Sequence, residues 1–361
     1  LLFLYIVDGN EDTLRMKLER TNIKRILVIK LRAIGDVLLS TVVIRNLRTA
    51  FPDAQIDFLT ERLSREVLEG NSDLHSVLVF DNKRDNGVKL LLDVRSRNYD
   101  LVFDLFGNPR SALITYFSGA TYRVGYRFKW RQYCYTTVVE PRGGEVHNTE
   151  FNLDALRSLE IPVPDTSIVF PLSREAEKFA EEFFQKNSIS NTFVVALNPG
   201  GGWYTKRWKA GQFAELGDLL TKEYHARILI IWGPGEEAEA KNIQRQMNSP
   251  SMIIPNTSLQ QLAAILKRCS VMVTNDSGPM HIAAAMNTPI VAMFGPTNPE
   301  LQGPVGHRHE IVQHQGLLCL GCNYTSCPIG NPCMEELTAA EVFAACEALI
   351  EKNNLVAEHL S

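Results

Sequence analysis

Three short stretches of the sequence bring reactive side chains together with glycine. The first is Lys30-Leu-Arg-Ala-Ile-Gly-Asp36. Gly35 permits a tight turn, and Asp36 stands at the mouth of the segment that follows. A carboxylate there can take a proton from a hydroxyl, or it can cap free backbone N–H groups. The second is Asn198-Pro-Gly-Gly-Gly-Trp-Tyr-Thr-Lys-Arg-Trp208. Gly200, Gly201 and Gly202 let backbone amides approach a phosphate closely, and Lys206 adds charge. The plainer reading is a flexible loop, with Trp203 and Trp208 packing a helix onto a sheet. The third is Thr274-Asn-Asp-Ser-Gly-Pro-Met-His281. Asp276 can hold a sugar hydroxyl, Ser277 and Gly278 can offer amides to a diphosphate, and His281 can donate to a phosphate oxygen. An Asx-capped helix entry with a buried histidine is the competing account.

Weaker signals surround these. Trp232-Gly-Pro-Gly-Glu-Glu237 sets acids at a helix start, which suits ribose hydroxyls but equally suits the helix dipole. The glycine–lysine order is not that of a P-loop, and no Gly-x-Gly-x-x-Gly element is present, so ATPase and dehydrogenase chemistry lose ground. Ser277 and His281 lie one turn apart without a Gly-x-Ser-x-Gly elbow, which disfavours a hydrolase triad. From Tyr122 to Tyr135 the chain interleaves Arg123, Arg127, Lys129 and Arg131 with six aromatic residues. That mixture fits sugar stacking, phosphate pairing and peripheral membrane contact, or an ordinary strand and loop with solvated charges. Cys319, Cys322, Cys327 and Cys333 are separated by two, four and five residues, within the range of a zinc or iron–sulfur site.

These loops need elements to hold them. Arg25-Ile-Leu-Val-Ile-Lys30 reads as a strand, followed by apolar residues at helical spacing through Val37, Leu38, Val42, Ile44 and Leu47. Pro52 and Asp53 break that pattern before Gln55-Ile-Asp-Phe-Leu-Thr60, and further strand-like runs cover Val77 to Phe80 and Leu101 to Leu105. The proline-bearing stretch Ile161-Pro-Val-Pro-Asp165 with Pro171 reads as a linker. After it the rhythm restarts at Phe193 to Leu197, Arg227 to Trp232, Val271 to Thr274 and Pro289 to Phe294. Strands alternating with helices predict parallel sheets covered on both faces, with ligands beyond the carboxyl ends of the strands. The expected division is an N-terminal extension over 1–22, one α/β domain over 23–170, a second over 171–350 and a tail over 351–361, with a cleft between the domains.

Composition agrees with a folded, soluble chain: 361 residues, 45% hydrophobic and 22% charged. The net charge of −4 gives no reason to expect nucleic acid as a partner. The run Leu1 to Val7 is too short to span a bilayer and lacks the Lys/Arg start, longer apolar region and small-residue cleavage site of a signal peptide, so an extension or an unusual start is expected over 1–22. Seven scattered and clustered cysteines suit a reducing compartment, so a cytoplasmic location is expected.

Taken together, the loops resemble glycosyltransferase family 9, the bacterial heptosyltransferases, from about Lys24 to Ile350. The most specific part is Val273-Thr-Asn-Asp-Ser-Gly-Pro-Met-His-Ile-Ala-Ala-Ala285 with Phe294-Gly-Pro-Thr-Asn-Pro299, supported by Gly35-Asp36 and Lys206-Arg-Trp208. The resemblance implies a GT-B fold, two Rossmann-like domains with parallel sheets facing a central nucleotide-sugar cleft. It implies inverting transfer of heptose from ADP-L-glycero-D-manno-heptose to the inner core of lipopolysaccharide. By position, Asp36 matches the general base, Lys206 the donor-phosphate contact, Glu237 the ribose contact and Asp276 the contact to the transferred sugar. Ser277, Gly278 and His281 match donor-phosphate positions, and Gly200, Gly201, Gly202 and Thr257 complete the expected donor set. Some relatives carry hydroxyl residues where this chain has Gly201 and Gly202, so phosphate contacts there would come from the backbone. Arg32 joins Arg123, Arg127, Lys129 and Arg131 as the expected set for a lipid A-linked core oligosaccharide, with peripheral contact to the inner face of the cytoplasmic membrane. Similar cysteines occur in the family without a known metal requirement, so free thiols or a local disulfide are expected, with no metal and no cofactor. The competing readings are another GT-B nucleotide-sugar enzyme, such as a transferase with a different donor or an epimerase, and an inactive nucleotide-sugar-binding module.

Overall fold

The computed structural model describes residues 18–81 and 84–355. Most of the expected extension and the end of the expected tail lie outside the described residues. The first lobe is a six-stranded sheet of β1 (Arg25–Ile29), β2 (Gln55–Thr60), β3 (Ser76–Val79), β4 (Leu101–Asp104), β5 (Tyr122–Tyr126) and β6 (Thr137–Val139). The second contains β7 (Val194–Asn198), β8 (Arg227–Ile230), β9 (Ser251–Ile253), β10 (Val271–Asn275), β11 (Ile290–Met293) and β12 (His309–Val312). Every pairing is parallel, and the orders are β3-β2-β1-β4-β5-β6 and β12-β11-β10-β7-β8-β9. Counted within each lobe, both are the doubly wound order 3-2-1-4-5-6, whose strand order reverses beside the first strand.

The strand sequences explain this burial. Ile26 and Val28 point into one apolar cluster while Leu27 and Ile29 point into another, so all four are fully buried. Each such side chain contributes about 1.5–3 kcal/mol relative to exposure. The cluster holding Ile26 and Val28 runs on through Val194, Met272, Ile282 and Phe294, so the two lobes share one apolar core. The edge strands β6, β9 and β12 were not legible in the sequence, being short and only partly buried.

One expected helix is broken. The apolar spacing through Leu47 predicts a single segment, but the chain forms Ile34–Leu39 and then Val42–Ala50. Ser40 and Thr41 cause the break: their hydroxyls donate to Val37 O and Leu38 O at 2.7 Å, competing for helix carbonyls. Thr41 Oγ1 also accepts the Val169 N–H at 2.9 Å, tying the break to the linker. The last helix, Ala339–Lys352, packs on β11 and β12 and runs across the expected boundary after residue 350.

Candidate active site

β1 ends at Ile29, and the chain passes through Lys30 into the helix Ile34–Leu39 with Asp36 in its first turn. Asp36 is half-buried, and its Oδ2 accepts the Ala33 N–H at 3.2 Å. One amide uses only part of a carboxylate's accepting capacity, so capping and proton transfer are compatible. Beside it, Lys30 Nζ donates to Leu105 O at 2.8 Å. Burial pushes the pKa of this ammonium down, and the carboxylates of Asp36 and Asp104 pull it back up.

The second lobe meets this turn directly. The helix Gly278–Ala285 packs on Ile34–Leu39, and a Cβ added at Gly35 would stand 2.7 Å from His281 Cδ2. Only glycine permits that approach. His281 is buried, and its Nδ1 has no hydrogen-bond partner among the described residues. Burial lowers its pKa to about 4 against the opposing pull of Asp276 and Asp36, so the imidazole is neutral at pH 7.

Behind this contact, asparagines fix the glycine loop. Asn198 Nδ2, at the end of β7, donates to Thr274 Oγ1 and Ser277 Oγ, each at 2.8 Å. Asn275 Nδ2 donates to Pro199 O at 2.8 Å, while its Oδ1 accepts the Trp208 N–H at 3.2 Å. Trp208 is a packing residue: it is buried against Phe213 and its indole N–H donates to Leu337 O at 2.8 Å. Lys206 Nζ lies 2.6 Å from Asp276 Oδ2 and 4.4 Å from the centre of the Trp203 ring. Thr297 Oγ1 donates to the same Asp276 oxygen at 2.7 Å. Glu236 accepts the Gly201 and Gly233 N–H groups at 3.3 and 3.0 Å, clamping two glycine turns together.

Between the lobes lies a cavity of about 270 Å³. Of the expected donor residues, Gly200, Gly201, Gly202, Thr257, Ser277 and Gly278 line it, facing Ala33, Ile34 and Gly35 of the first lobe. Asp276 and His281 flank Ser277 and Gly278 in the chain, and Lys206 joins them through its ion pair. Glu237 does not line the cavity: it pairs with Lys241 at 2.7 Å on the half-exposed side of its helix. Its neighbour Glu236 is the acid that lines it.

The expected acceptor set divides. Arg32 lines a cavity of about 510 Å³ in the first lobe together with Arg62, Arg84 and Arg110. Those three stand 3.8, 3.6 and 3.9 Å from Asp81, Asp81 and Glu61 respectively, so positive charge is in excess. Arg123 is elsewhere, at the amino end of β5, where it donates to Cys134 O and Ala120 O at 3.0 and 2.7 Å. Because the cleft lies at the carboxyl ends of the strands, Arg123 cannot face it. Arg127 is paired with Glu140 and Gln132, Arg131 lies 5.3 Å from the Phe128 ring centre, and Lys129 is exposed; none lines the arginine cavity. Arg62, Arg84 and Arg110 were missed, although each follows shortly after a strand end, which was the available signal.

All seven cysteines are free thiols. Burial pushes the Cys333 thiol up to about 11, with Cys319, Cys322 and Cys327 near enough to add to the effect. Among the described residues, no three His, Cys, Asp or Glu side chains are arranged to hold a metal ion, and no helix is long and apolar enough to cross a membrane.

The model of glycosyltransferase family 9 (heptosyltransferase) matches residues 88–331. The chain is 26% identical over 319 residues to lipopolysaccharide heptosyltransferase 2 of Escherichia coli K12, covering 80% of this chain and 88% of that protein. It is similar in fold to the family 9 glycosyltransferase of Veillonella parvula, with a TM-score of 0.80 and 23% identity over 91% of this chain and 97% of that one. It is also similar to the E. coli heptosyltransferase WaaC with ADP, with a TM-score of 0.70 and 22% identity over 91% of this chain and 99% of that one. Two doubly wound parallel sheets facing a cleft, together with a family match over most of the chain, identify it as a glycosyltransferase that belongs to family 9.

Proposed function

We propose that this chain transfers heptose from ADP-L-glycero-D-manno-heptose to a lipopolysaccharide core in one inverting step, with Asp36 as the general base. The observation that carries this reading is the meeting of Asp36's helix with the Ser277–His281 turn across a cavity lined by the glycine loop. The names of its relatives support the substrate class: the E. coli protein is a lipopolysaccharide heptosyltransferase, and WaaC was solved with ADP.

In this mechanism Asp36 removes the proton of the acceptor hydroxyl as its oxygen attacks the anomeric carbon from the face opposite the leaving group. The anomeric C–O bond breaks, and the departing diphosphate gathers the negative charge. Lys206, turning from Asp276, and the amides of Gly200–Gly202 and Ser277–Gly278 stabilise that charge. Neutral His281 offers a ring N–H to the phosphate rather than a second cation. Glu236, the acid that lines the cavity, accepts from the ribose in place of the expected Glu237 while holding the two glycine turns in register. Asp276 receives a sugar hydroxyl once Lys206 has turned. The first lobe, 23–170, takes the acceptor and the second, 171–350, takes the donor. Anionic groups of the acceptor core pair with Arg32, Arg62, Arg84 and Arg110, which take over the role expected of the stretch around Arg127, Lys129 and Arg131. The reaction is assigned to the cytoplasmic face of the inner membrane.

A donor-by-acceptor matrix assay with wild type and Asp36→Asn tests this reading. Transfer from the ADP-heptose donor should fall by about 10²–10⁴-fold in the variant with ADP affinity unchanged. A variant retaining more than about a tenth of the rate removes Asp36 from the base role.

A further inference from the structure

We propose that the face formed by the helices Gly87–Ser96 and Pro109–Ser118 docks on an anionic phospholipid bilayer and so delivers the arginine cavity to a lipid-borne acceptor. The inference rests on the acceptor class proposed above. It begins from side chains that folding leaves in water. Leu92 is 66% exposed, Tyr116 51% and Phe117 50%, and they line one groove of about 480 Å³ with Leu91, Arg95 and Arg123. Val88 on the first helix and Leu113 on the second extend the apolar surface. A contiguous patch of large apolar side chains on a folded chain marks a surface that meets something apolar.

Charge identifies the partner. Arg95 Nη1 donates to Ser118 O at 3.2 Å, and the Arg123 guanidinium lies 5.9 Å from the centre of the Tyr116 ring. Among the described residues neither arginine pairs with a carboxylate, so the groove joins apolar side chains to two uncompensated cations. Asp93, on the same helix as Leu92, is held by Arg97 at 3.2 Å. Aromatic rings and arginines around an aliphatic centre match the layered chemistry of an anionic membrane surface, where acyl chains lie below phosphate headgroups.

Placement supplies the reason for docking. Both helices start beside the arginine cavity, where Arg84 precedes one and Arg110 opens the other. Tyr116 lies about 10 Å along the helix from Arg110. A bilayer against this face would therefore sit beside the cavity that takes the acceptor's charged core.

Vesicle flotation without any acceptor tests the surface by itself. Wild type should float with phosphatidylcholine vesicles containing about 30% phosphatidylglycerol, and about fivefold less with phosphatidylcholine alone. Leu92→Glu/Tyr116→Glu/Phe117→Glu should lose about tenfold of the flotation while keeping its cooperative urea transition and its transfer rate onto a delipidated core oligosaccharide. The proposal is overturned if the triple variant floats as well as wild type, or if wild type ignores both vesicles. It is also overturned if the triple variant turns a solution dimer into a monomer, which would assign the face to a second copy of the chain. Flotation as expected with no transfer to any core oligosaccharide would leave the docking surface standing and sink the acceptor reading alone.

Discussion

Lys206 and Asp276 neutralise each other at 2.6 Å, with side chains only 13% and 6% exposed. Removing either partner from a buried ion pair strands the other, so Lys206→Met should cost about 3 kcal/mol of stability. Urea titration of the variant checks this; an unshifted midpoint would show that Asp276 finds another partner. The sequence exposed Asp36, Lys206 and Asp276 because each stands in a short motif beside glycine. It did not expose the residues that aim them. Asn198 reaches partners 76 and 79 residues away, Thr297 reaches Asp276 across 21, and Glu236 reaches Gly201 across 35. Such bonds arise only after strands from distant parts of the chain lie side by side. Glu237 shows the limit of a motif: of two adjacent acids, the fold turned the other one inward.

The strand–loop–helix units, by contrast, were legible, since an apolar run ending in glycine and a capping side chain is a local pattern. The helix Gly278–Ala285 is the clearest case, and it carries a pH response. Its His281 stays neutral down to about pH 4, whereas an unfolded histidine titrates near 6.5. Between those values the unfolded chain binds a proton that the native site refuses. The contribution of this site to stability is therefore fully present above about pH 6.5 and is lost as pH falls, by about 3 kcal/mol at the acid end. Denaturation of wild type and His281→Gln at pH 7 and 4.5 measures the difference. The variant should lose about 2–3 kcal/mol less over that interval, and identical slopes would assign the acid response to other groups. The split after Leu39 was illegible for a complementary reason, because apolar spacing continues through it while Ser40 and Thr41 act on the backbone.

At the scale of the whole molecule, two lobes with the same strand order place their reversal points opposite each other, which alternation of strands and helices had implied only as a cleft. How tightly the lobes close could not be read from either half. Gln260 of the second lobe holds three backbone groups: Nε2 donates to Glu66 O and Pro171 O at 2.8 and 2.9 Å, and Oε1 accepts the Ser173 N–H at 2.9 Å. His147 adds a bond to Gly303 O at 3.0 Å. The cavity of about 270 Å³ is small for a nucleotide-sugar, since ligand sites usually offer about 300–1,000 Å³. Parting of the lobes for donor entry would break these bonds, so Gln260→Ala should change donor KM and kcat together, by about threefold or more. Steady-state kinetics decide this, and an unchanged pair of constants would place the hinge elsewhere.

One point between the lobes leaves no slack. At position 35 the backbone carries only hydrogen, and His281 fills the room a methyl group would take. A larger residue there would wedge the helix Ile34–Leu39 away from the Ser277–His281 turn, although no other side chain of either had been altered. The spacing of the lobes at this seam thus depends on a residue that has no side chain at all.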